Sequence, residues 1–199
     1  MMSRRMLLAV ASCWLMPTCL TSQTREEQVT EQLKMWLLPI DQSWPELKAE
    51  LDKIGPPSVV IPALLRILEA ERHAAPETRG AARRLQAVSA LGNFRERSAM
   101  PIMRSILADG ALPVAVRRTS ARALGRIDPV ANKDALLSAF DQSERKEFDL
   151  RIDIAKALIE TRDRAVLDKM EQWARGNPPG SLERKEFDLI VSEMRKKVP

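Results

Sequence analysis

Three arginines recur at a nearly constant spacing, and their side chains are the groups in this chain best suited to specific recognition. They are Arg84, Arg117 and Arg151, so the intervals between consecutive members are 33 and 34. A guanidinium binds a carboxylate through two parallel hydrogen bonds, so one arginine per repeating unit would form a basic ladder for an acidic partner. The spacing also fits a structural role, which we favour: each arginine would hold the turn of the preceding unit through backbone carbonyls or a nearby aspartate.

Two further arginines stand beside the recurring positions. Arg83 precedes Arg84, and Arg118 follows Arg117. Because both lie outside the recurring position, we predict that they are the better candidates for contact with a partner. The full set of candidate partner-binding residues is Arg83, Arg84, Arg117, Arg118 and Arg151.

Residues that could perform catalysis or hold a metal ion are sparse. His73 is the single histidine, and we expect it in a solvated turn, where a metal site would depend on carboxylates alone. There is no Gly-x-Ser-x-Gly motif and no glycine-rich phosphate loop. Carboxylate pairs such as Glu144 with Glu147 alternate with basic residues, as on a solvated helix face. The sequence therefore predicts no catalytic site, no metal, no cofactor and no small-molecule substrate.

The N-terminal segment 1–22 has the three-part layout of a secretory signal peptide. Residues 1–5 contain two arginines, residues 6–16 are apolar apart from Ser12, and a polar segment with small residues follows. The apolar run is too short to span a bilayer, which needs about 20 residues. We therefore expect cleavage after Ser22 and export to the periplasm or another extracytoplasmic site. The alternatives to a signal peptide are a mispredicted start of the chain and an ordinary N-terminal helix.

Both cysteines, Cys13 and Cys19, lie inside this segment, so the cleaved chain would have no thiol. Residues 10–13 also resemble a bacterial lipobox, which makes lipidation of Cys13, and with it a membrane anchor, the alternative to cleavage after Ser22. Cleavage removes two arginines and lowers the formal net charge from +5 to +3. A basic excess this small gives little electrostatic support for binding nucleic acid.

An identical heptapeptide, Glu-Arg-Lys-Glu-Phe-Asp-Leu, occurs at Glu144–Leu150 and again at Glu183–Leu189, which is an interval of 39. Periods of about 20–50 residues are typical of solenoids, in which each unit buries its apolar face against its neighbours. We interpret the two copies as members of one internal repeat. The turn Asn177–Gly180 would lengthen the last unit and explain why this interval exceeds 34.

Apolar spacing predicts helices along almost the whole chain after Arg25. First helices of two units are predicted at Ile61–Leu68 and Met100–Leu107, each with a proline near its start. Asp128 and Asp163 are predicted to cap the first helices of the next units. The predicted second helices cover residues 84–92, 117–125 and 151–159, and they share a small residue at one position, occupied by Ala90, Ala123 and Ala157. A small side chain there would let neighbouring helices approach closely.

The two predicted helices before residue 57 match no later unit, and Ser43–Glu46 has the form of a capping box. We predict that they form a cap, which gives three segments: a signal peptide (1–22), an N-terminal helical cap (23–56) and a repeat domain (57–199). The tryptophans on apolar stripes, Trp36, Trp44 and Trp173, are expected to pack in the core or cap rather than to anchor a partner.

The second helices resemble those of short HEAT-like repeats of the phycobilisome-lyase type, whose second helix reads Val-Arg-x-x-Ala-x-x-Ala-Leu-Gly. Val116–Gly125 is the best copy, with Ser120 in place of the first alanine. The resemblance implies an all-α fold, namely a right-handed α-solenoid of about four HEAT-like helix pairs with an N-terminal helical cap. It also implies that the second helices line the concave face.

The resemblance, the export signal and the lack of catalytic residues together favour a non-catalytic protein–protein interaction scaffold or adaptor in the cell envelope. Its partner would be a protein, and the membrane would be involved only if the chain is lipid-anchored. Two alternatives stay open. One is an accessory subunit of an enzyme resembling the bilin lyases, and the other is a nucleic-acid-binding HEAT-like module.

Overall fold

The computed structural model describes residues 24–37 and 43–198, and within these ranges every regular element is a helix. The predicted signal peptide and Cys13 lie outside the described residues, and so does the side chain of Trp36. None of the helices in the described ranges has both the length and the hydropathy that a membrane span requires.

The described chain is divided into short helices of nine to sixteen residues. They are α1 (Arg25–Trp36), α2 (Trp44–Ile54), α3 (Pro57–Ala70), α4 (Arg79–Asn93), α5 (Met100–Ala108), α6 (Val114–Ile127), α7 (Lys133–Gln142), α8 (Phe148–Leu158), α9 (Arg164–Arg175) and α10 (Leu182–Lys197). Single 3-10 turns at Arg97–Ala99 and Arg145–Glu147 lead into α5 and α8, and a third at Ile159–Thr161 follows α8.

The helices are stacked in consecutive pairs. α3 packs on α4, α5 on α6, α7 on α8 and α9 on α10. The second members form a continuous row, because α4 packs on α6, α6 on α8 and α8 on α10. α1 and α2 extend the stack, with α1 packed on α3 and α2 on α4. The chain is therefore an α-solenoid, as the sequence predicted.

The core runs without a break along the stack, because buried apolar side chains from every pair join one cluster. At the end of the stack, the ring of Phe140 meets those of Trp173 and Phe187 at centroid distances of 5.6 and 6.0 Å. At the beginning, Trp44 packs edge-on against Phe94 at 5.3 Å. The packing role predicted for Trp44 and Trp173 is thus confirmed. Because each pair is covered by its neighbours, no pair has a closed core of its own.

Glycine and alanine set the distance between successive second helices. A Cβ atom on Gly92 of α4 would lie 2.6 Å from the Cβ of Ala123 in α6. One on Gly125 of α6 would lie 2.6 Å from the Cβ of Ala157 in α8. The close approach that the sequence predicted at the shared alanine position is confirmed for Ala123 and Ala157, and there it requires glycine on the facing helix. In α8 the corresponding position is Ile159, and there the α-helix already ends at Leu158 and a 3-10 turn follows.

The helix starts agree with the sequence at two positions and differ at two. Ser43 donates its backbone N–H to the Glu46 carboxylate at 2.8 Å, as in a capping box, and the Asp163 carboxylate accepts the backbone N–H of Ala165 at 2.8 Å. Asp128, in contrast, does not cap a helix. It accepts the N–H of Ala131 within a turn, and α7 begins only at Lys133.

A buried asparagine explains the late start of α7. Asn132 is fully buried, and its Nδ2 donates to the carbonyls of Leu124 and Asp128. These bonds hold the turn against the end of α6, so the helix can start only after Asn132. A second difference concerns Pro62, which lies in the second turn of α3 because that helix begins at Pro57, whereas Pro101 is at the first turn of α5, as predicted.

The two copies of the heptapeptide occupy different positions in their helix pairs, which corrects their interpretation as members of one internal repeat. In the first copy Leu150 is fully buried and Phe148 only partly. In the second copy Phe187 is fully buried and Leu189 is 67% exposed. The first copy enters α8 through a 3-10 turn, whereas the second lies wholly within α10. The position of each copy in its helix pair follows from the side chain that is buried in the core, which is Leu150 in the first copy and Phe187 in the second.

Candidate binding surface

The recurring arginines lie between the helices rather than on an open face. The exposed fractions of Arg84, Arg117 and Arg151 are 1%, 4% and 8%. Each stands in the first half of its second helix, in α4, α6 and α8. A guanidinium this deeply buried can reach a partner only where the surrounding structure leaves an opening.

Each of these side chains binds the last turn of the first helix of its own pair or the turn that follows that helix. Arg84 donates to the carbonyls of Arg72 and Ala74 at 2.7 and 3.1 Å. Arg117 donates to the carbonyl of Leu107 at 3.1 Å. Arg151 donates to the hydroxyl of Ser143 at 3.0 Å and to its carbonyl. The favoured structural role is what the geometry provides, with the correction that the turn belongs to the same unit and not to the preceding one.

A fourth arginine, which was not predicted from the sequence, also binds a backbone carbonyl of the first helix in its pair. Arg184 of α10 donates from Nη1 to the carbonyl of Ala174 at 2.9 Å. With Arg184 included, the arginine intervals along the four pairs are 33, 34 and 33. That regularity was the signal available in the sequence, but the longer interval between the heptapeptides led to a different alignment of the last unit.

Burial affects the charge of two of these groups. It lowers the pKa of the Arg84 guanidinium from its ordinary value, and the nearby carboxylate of Glu71 opposes this change. It likewise lowers the pKa of Arg151, and the positive charge of Arg145 adds to the effect. Arg151 also lies over the rings of Trp173 and Phe140, at 4.6 and 5.5 Å from their centroids, which compensates part of its lost hydration.

The two arginines predicted to be better placed for a partner are already paired within the chain. Arg83 donates from Nε to Glu71 at 3.1 Å, and both side chains are 19% exposed. Arg118 donates to Asp153 at 2.6 Å and to Asp149 at 2.8 Å, which ties α6 to α8. A partner that bound these guanidinium groups would have to replace carboxylates that are covalently part of the same molecule.

An apolar groove opens where the N-terminal ends of α4 and α6 lie side by side, and its volume is about 520 Å³. We call it the α4–α6 groove. Its described lining comprises Pro76, Glu77, Thr78, Arg79, Ala81, Ala82, Arg84, Leu85, Pro113, Ala115 and Val116. Arg79 is exposed at its rim, and no carboxylate among the described residues pairs with it. The buried Arg84 forms part of its wall.

The hydrogen bonding of Arg84, which is one of the residues lining this groove, is incomplete. Its hydrogen bonds to described residues are donated by Nη1. The Nε–H group is buried and has no acceptor among the described residues. Such a buried donor loses its hydration without compensation.

The groups that could perform chemistry are dispersed. His73 is exposed in the turn after α3, where the sequence predicted it. No three metal-binding side chains converge within the described parts of the chain.

A comparison with protein families matches residues 61–148 to HEAT repeats. This range runs from the middle of α3 to the start of α8 and includes Arg84 and Arg117. A search of curated proteins finds no match to the chain. The stacked pairs and the family match together define the class: the chain is an α-solenoid that contains HEAT repeats at residues 61–148.

Proposed function

We propose that this chain is a non-catalytic protein-interaction scaffold of the cell envelope, and that the α4–α6 groove is its docking site. HEAT repeats generally mediate protein–protein interactions, and they cover the part of the chain that contains this groove. The observation that carries the proposal is the groove itself. It combines mostly apolar walls with the guanidinium groups of Arg79 and Arg84, the composition expected for the core of a binding site.

A protein partner is favoured over nucleic acid by the way in which the basic side chains are used. Arg118 and Arg122 both bind Asp153, and Arg83 binds Glu71. Binding to a nucleic acid draws its affinity from cations that neutralise phosphates, and these cations are neutralised already. The lack of a nucleophile–base pair and of converging metal ligands in the described ranges favours a non-catalytic role.

The location in the cell envelope rests on the sequence of segment 1–22 alone. Mass analysis of the protein isolated from its native host tests it. A chain that begins at Gln23, or at a lipidated Cys13, supports export. A chain that still begins at its first methionine and fractionates with the cytoplasm contradicts this part of the proposal.

Site-specific photo-crosslinking in the native host tests the docking site. A benzophenone amino acid is placed at Ala115, which is exposed in the groove, and in a matched strain at Ser138, which is exposed on α7. We expect one discrete cross-linked protein from position 115 and none from position 138. Identical products from both positions, or no product from position 115, would contradict the proposal.

A further inference from the structure

The second repeat unit completes the environment of its arginine in a way that the first unit does not. Arg117 donates from Nη1 to the carboxylate of Glu147 at 2.7 Å, and their side chains are only 5% and 13% exposed. Glu147 belongs to the next unit, where it is the N-cap residue of α8, four positions before Arg151. A carboxylate from the following helix start thus covers the guanidinium of the preceding pair.

The corresponding carboxylate is missing above Arg84. The residue four positions before Arg117 is Pro113, which is likewise the N-cap residue of its helix, α6. Proline offers no acceptor, and the α4–α6 groove opens at this position. The internal comparison therefore accounts for the groove beside Pro113. The two arginines also differ in their bonding: Arg117 donates from Nε to Leu107 and from Nη1 to Glu147, whereas Arg84 donates from Nη1 to carbonyls and its Nε–H has no acceptor among the described residues.

Other groups around the groove add to its preference for negative charge. No side chain caps the start of α6, so its first backbone N–H groups have no side-chain acceptor. Arg79 contributes an exposed positive charge, whereas Glu77 at the same rim opposes it. The helix dipole of α6 also places partial positive charge at this end.

We propose that the α4–α6 groove binds a carboxylate from an acidic segment of the partner protein, which takes the place that Glu147 occupies over Arg117. Arg84 is the buried counter-ion of this carboxylate, and Leu85 and Val116 contact apolar side chains beside it. This inference rests on the proposed function and specifies its chemistry. A carboxylate is favoured over a phosphate because the equivalent arginine in the next unit binds a carboxylate and because most of the lining is apolar.

The sharpest variant is Pro113→Glu, which supplies the missing carboxylate from the chain itself. It places a glutamate at the N-cap of α6, as Glu147 stands at the N-cap of α8. We expect the variant to fold, to unfold at the same temperature as the native protein or a higher one, and to lose binding because the groove is occupied. Ala111→Glu is the control, since it adds the same charge in the same loop outside the described groove lining.

The ligand used is an amidated, fluorescein-labelled peptide in which one glutamate is flanked on each side by two leucines. Its twin has glutamine in place of the glutamate. We expect saturable binding of the glutamate peptide to the full chain, weaker binding of the glutamine peptide by about tenfold or more, and a similar loss in Pro113→Glu but not in Ala111→Glu. Binding should also shift the Nε–H resonance of Arg84.

Equal binding of the two peptides, full binding by Pro113→Glu, or no binding of the glutamate peptide at millimolar concentration would overturn the inference. The inference would also be overturned, in favour of a phosphate ligand, if a single-stranded oligonucleotide bound more tightly than the peptide and Pro113→Glu abolished that binding. The proposed function is tested separately. If a cross-linked partner also binds Pro113→Glu, only the inference that the groove binds a carboxylate is contradicted. If no partner is found at all, the proposed scaffold function is contradicted.

Discussion

Neighbouring arginines in this chain have different roles because one residue step along a helix rotates the side chain by about 100°. Arg84 points between the helices and is 1% exposed, whereas Arg83 lies at the surface and pairs with Glu71. Arg117 and Arg118 differ in the same way: the first binds Leu107 and Glu147, and the second binds Asp149 and Asp153 on α8.

We predict that Arg117→Met destabilises the protein by about 3 kcal/mol or more, because it leaves the Glu147 carboxylate largely buried without its counter-ion. Arg122→Met is the control. The Arg122 side chain is 45% exposed and Asp153 would keep Arg118, so we expect a loss below about 1 kcal/mol.

Urea denaturation measures both free energies of unfolding. Arg117→Met combined with Glu147→Gln should recover part of the loss, since the stranded charge is removed. A stability of Arg117→Met within about 1 kcal/mol of the native protein would mean that this ion pair contributes no more than a surface pair does.

At the scale of helices, the row of second helices depends on contacts with no room for a larger side chain. Gly92 faces Ala123 and Gly125 faces Ala157, and an added Cβ would come within 2.9 Å of the facing Cα in each case. The sequence indicated the alanine half of this contact through its repeated position. That Gly92 and Gly125 lie opposite these alanines depends on which faces of the helices pack together, and only the structure shows this.

We predict that Gly92→Ala lowers the free energy of unfolding by about 1–3 kcal/mol, because α4 and α6 must move apart. The sign is informative, since alanine has the better helix propensity by about 1 kcal/mol and would stabilise an unpacked helix. Gly110→Ala is the control, because nothing lies within 4 Å of the added Cβ. A stabilised Gly92→Ala protein in thermal or urea unfolding would show that the helices are not in close contact there.

At the scale of the whole molecule, a stack with one continuous core transmits stability only between adjacent pairs. α6 packs on α4, α5 and α8, so it is covered from both sides. α10 packs on α8 and α9 and ends the described stack. The ends of the stack should therefore open more readily than its middle.

We predict that amide hydrogen exchange, measured by mass spectrometry, is slowest in α6 and faster in α1 and α10. In Phe187→Ala, which removes a ring packed on Phe140 and Trp173, exchange should rise in α9 and α10 and stay unchanged in α3. A uniform increase across all helices would instead indicate one cooperative unit.

The sequence by itself determined the class of architecture. The regular spacing of Arg84, Arg117 and Arg151, the shared alanine position and the helix caps at Ser43 and Asp163 are local or periodic features, and the structure agrees with each. Their physical basis is short-range: helix periodicity, capping and the size of a side chain are properties of residues close together in the chain.

Only the tertiary structure decided the register of the last pair and the position of the groove. The duplicated heptapeptide suggested a longer last unit, but burial of Phe187 and exposure of Leu189 place the copies in different registers, and Arg184 keeps the regular arginine spacing. The groove opens beside Pro113, which stands where the next unit has Glu147. Both depend on contacts between residues that are a full repeat unit apart in the chain, and no local pattern in the sequence specifies the free energies of such contacts.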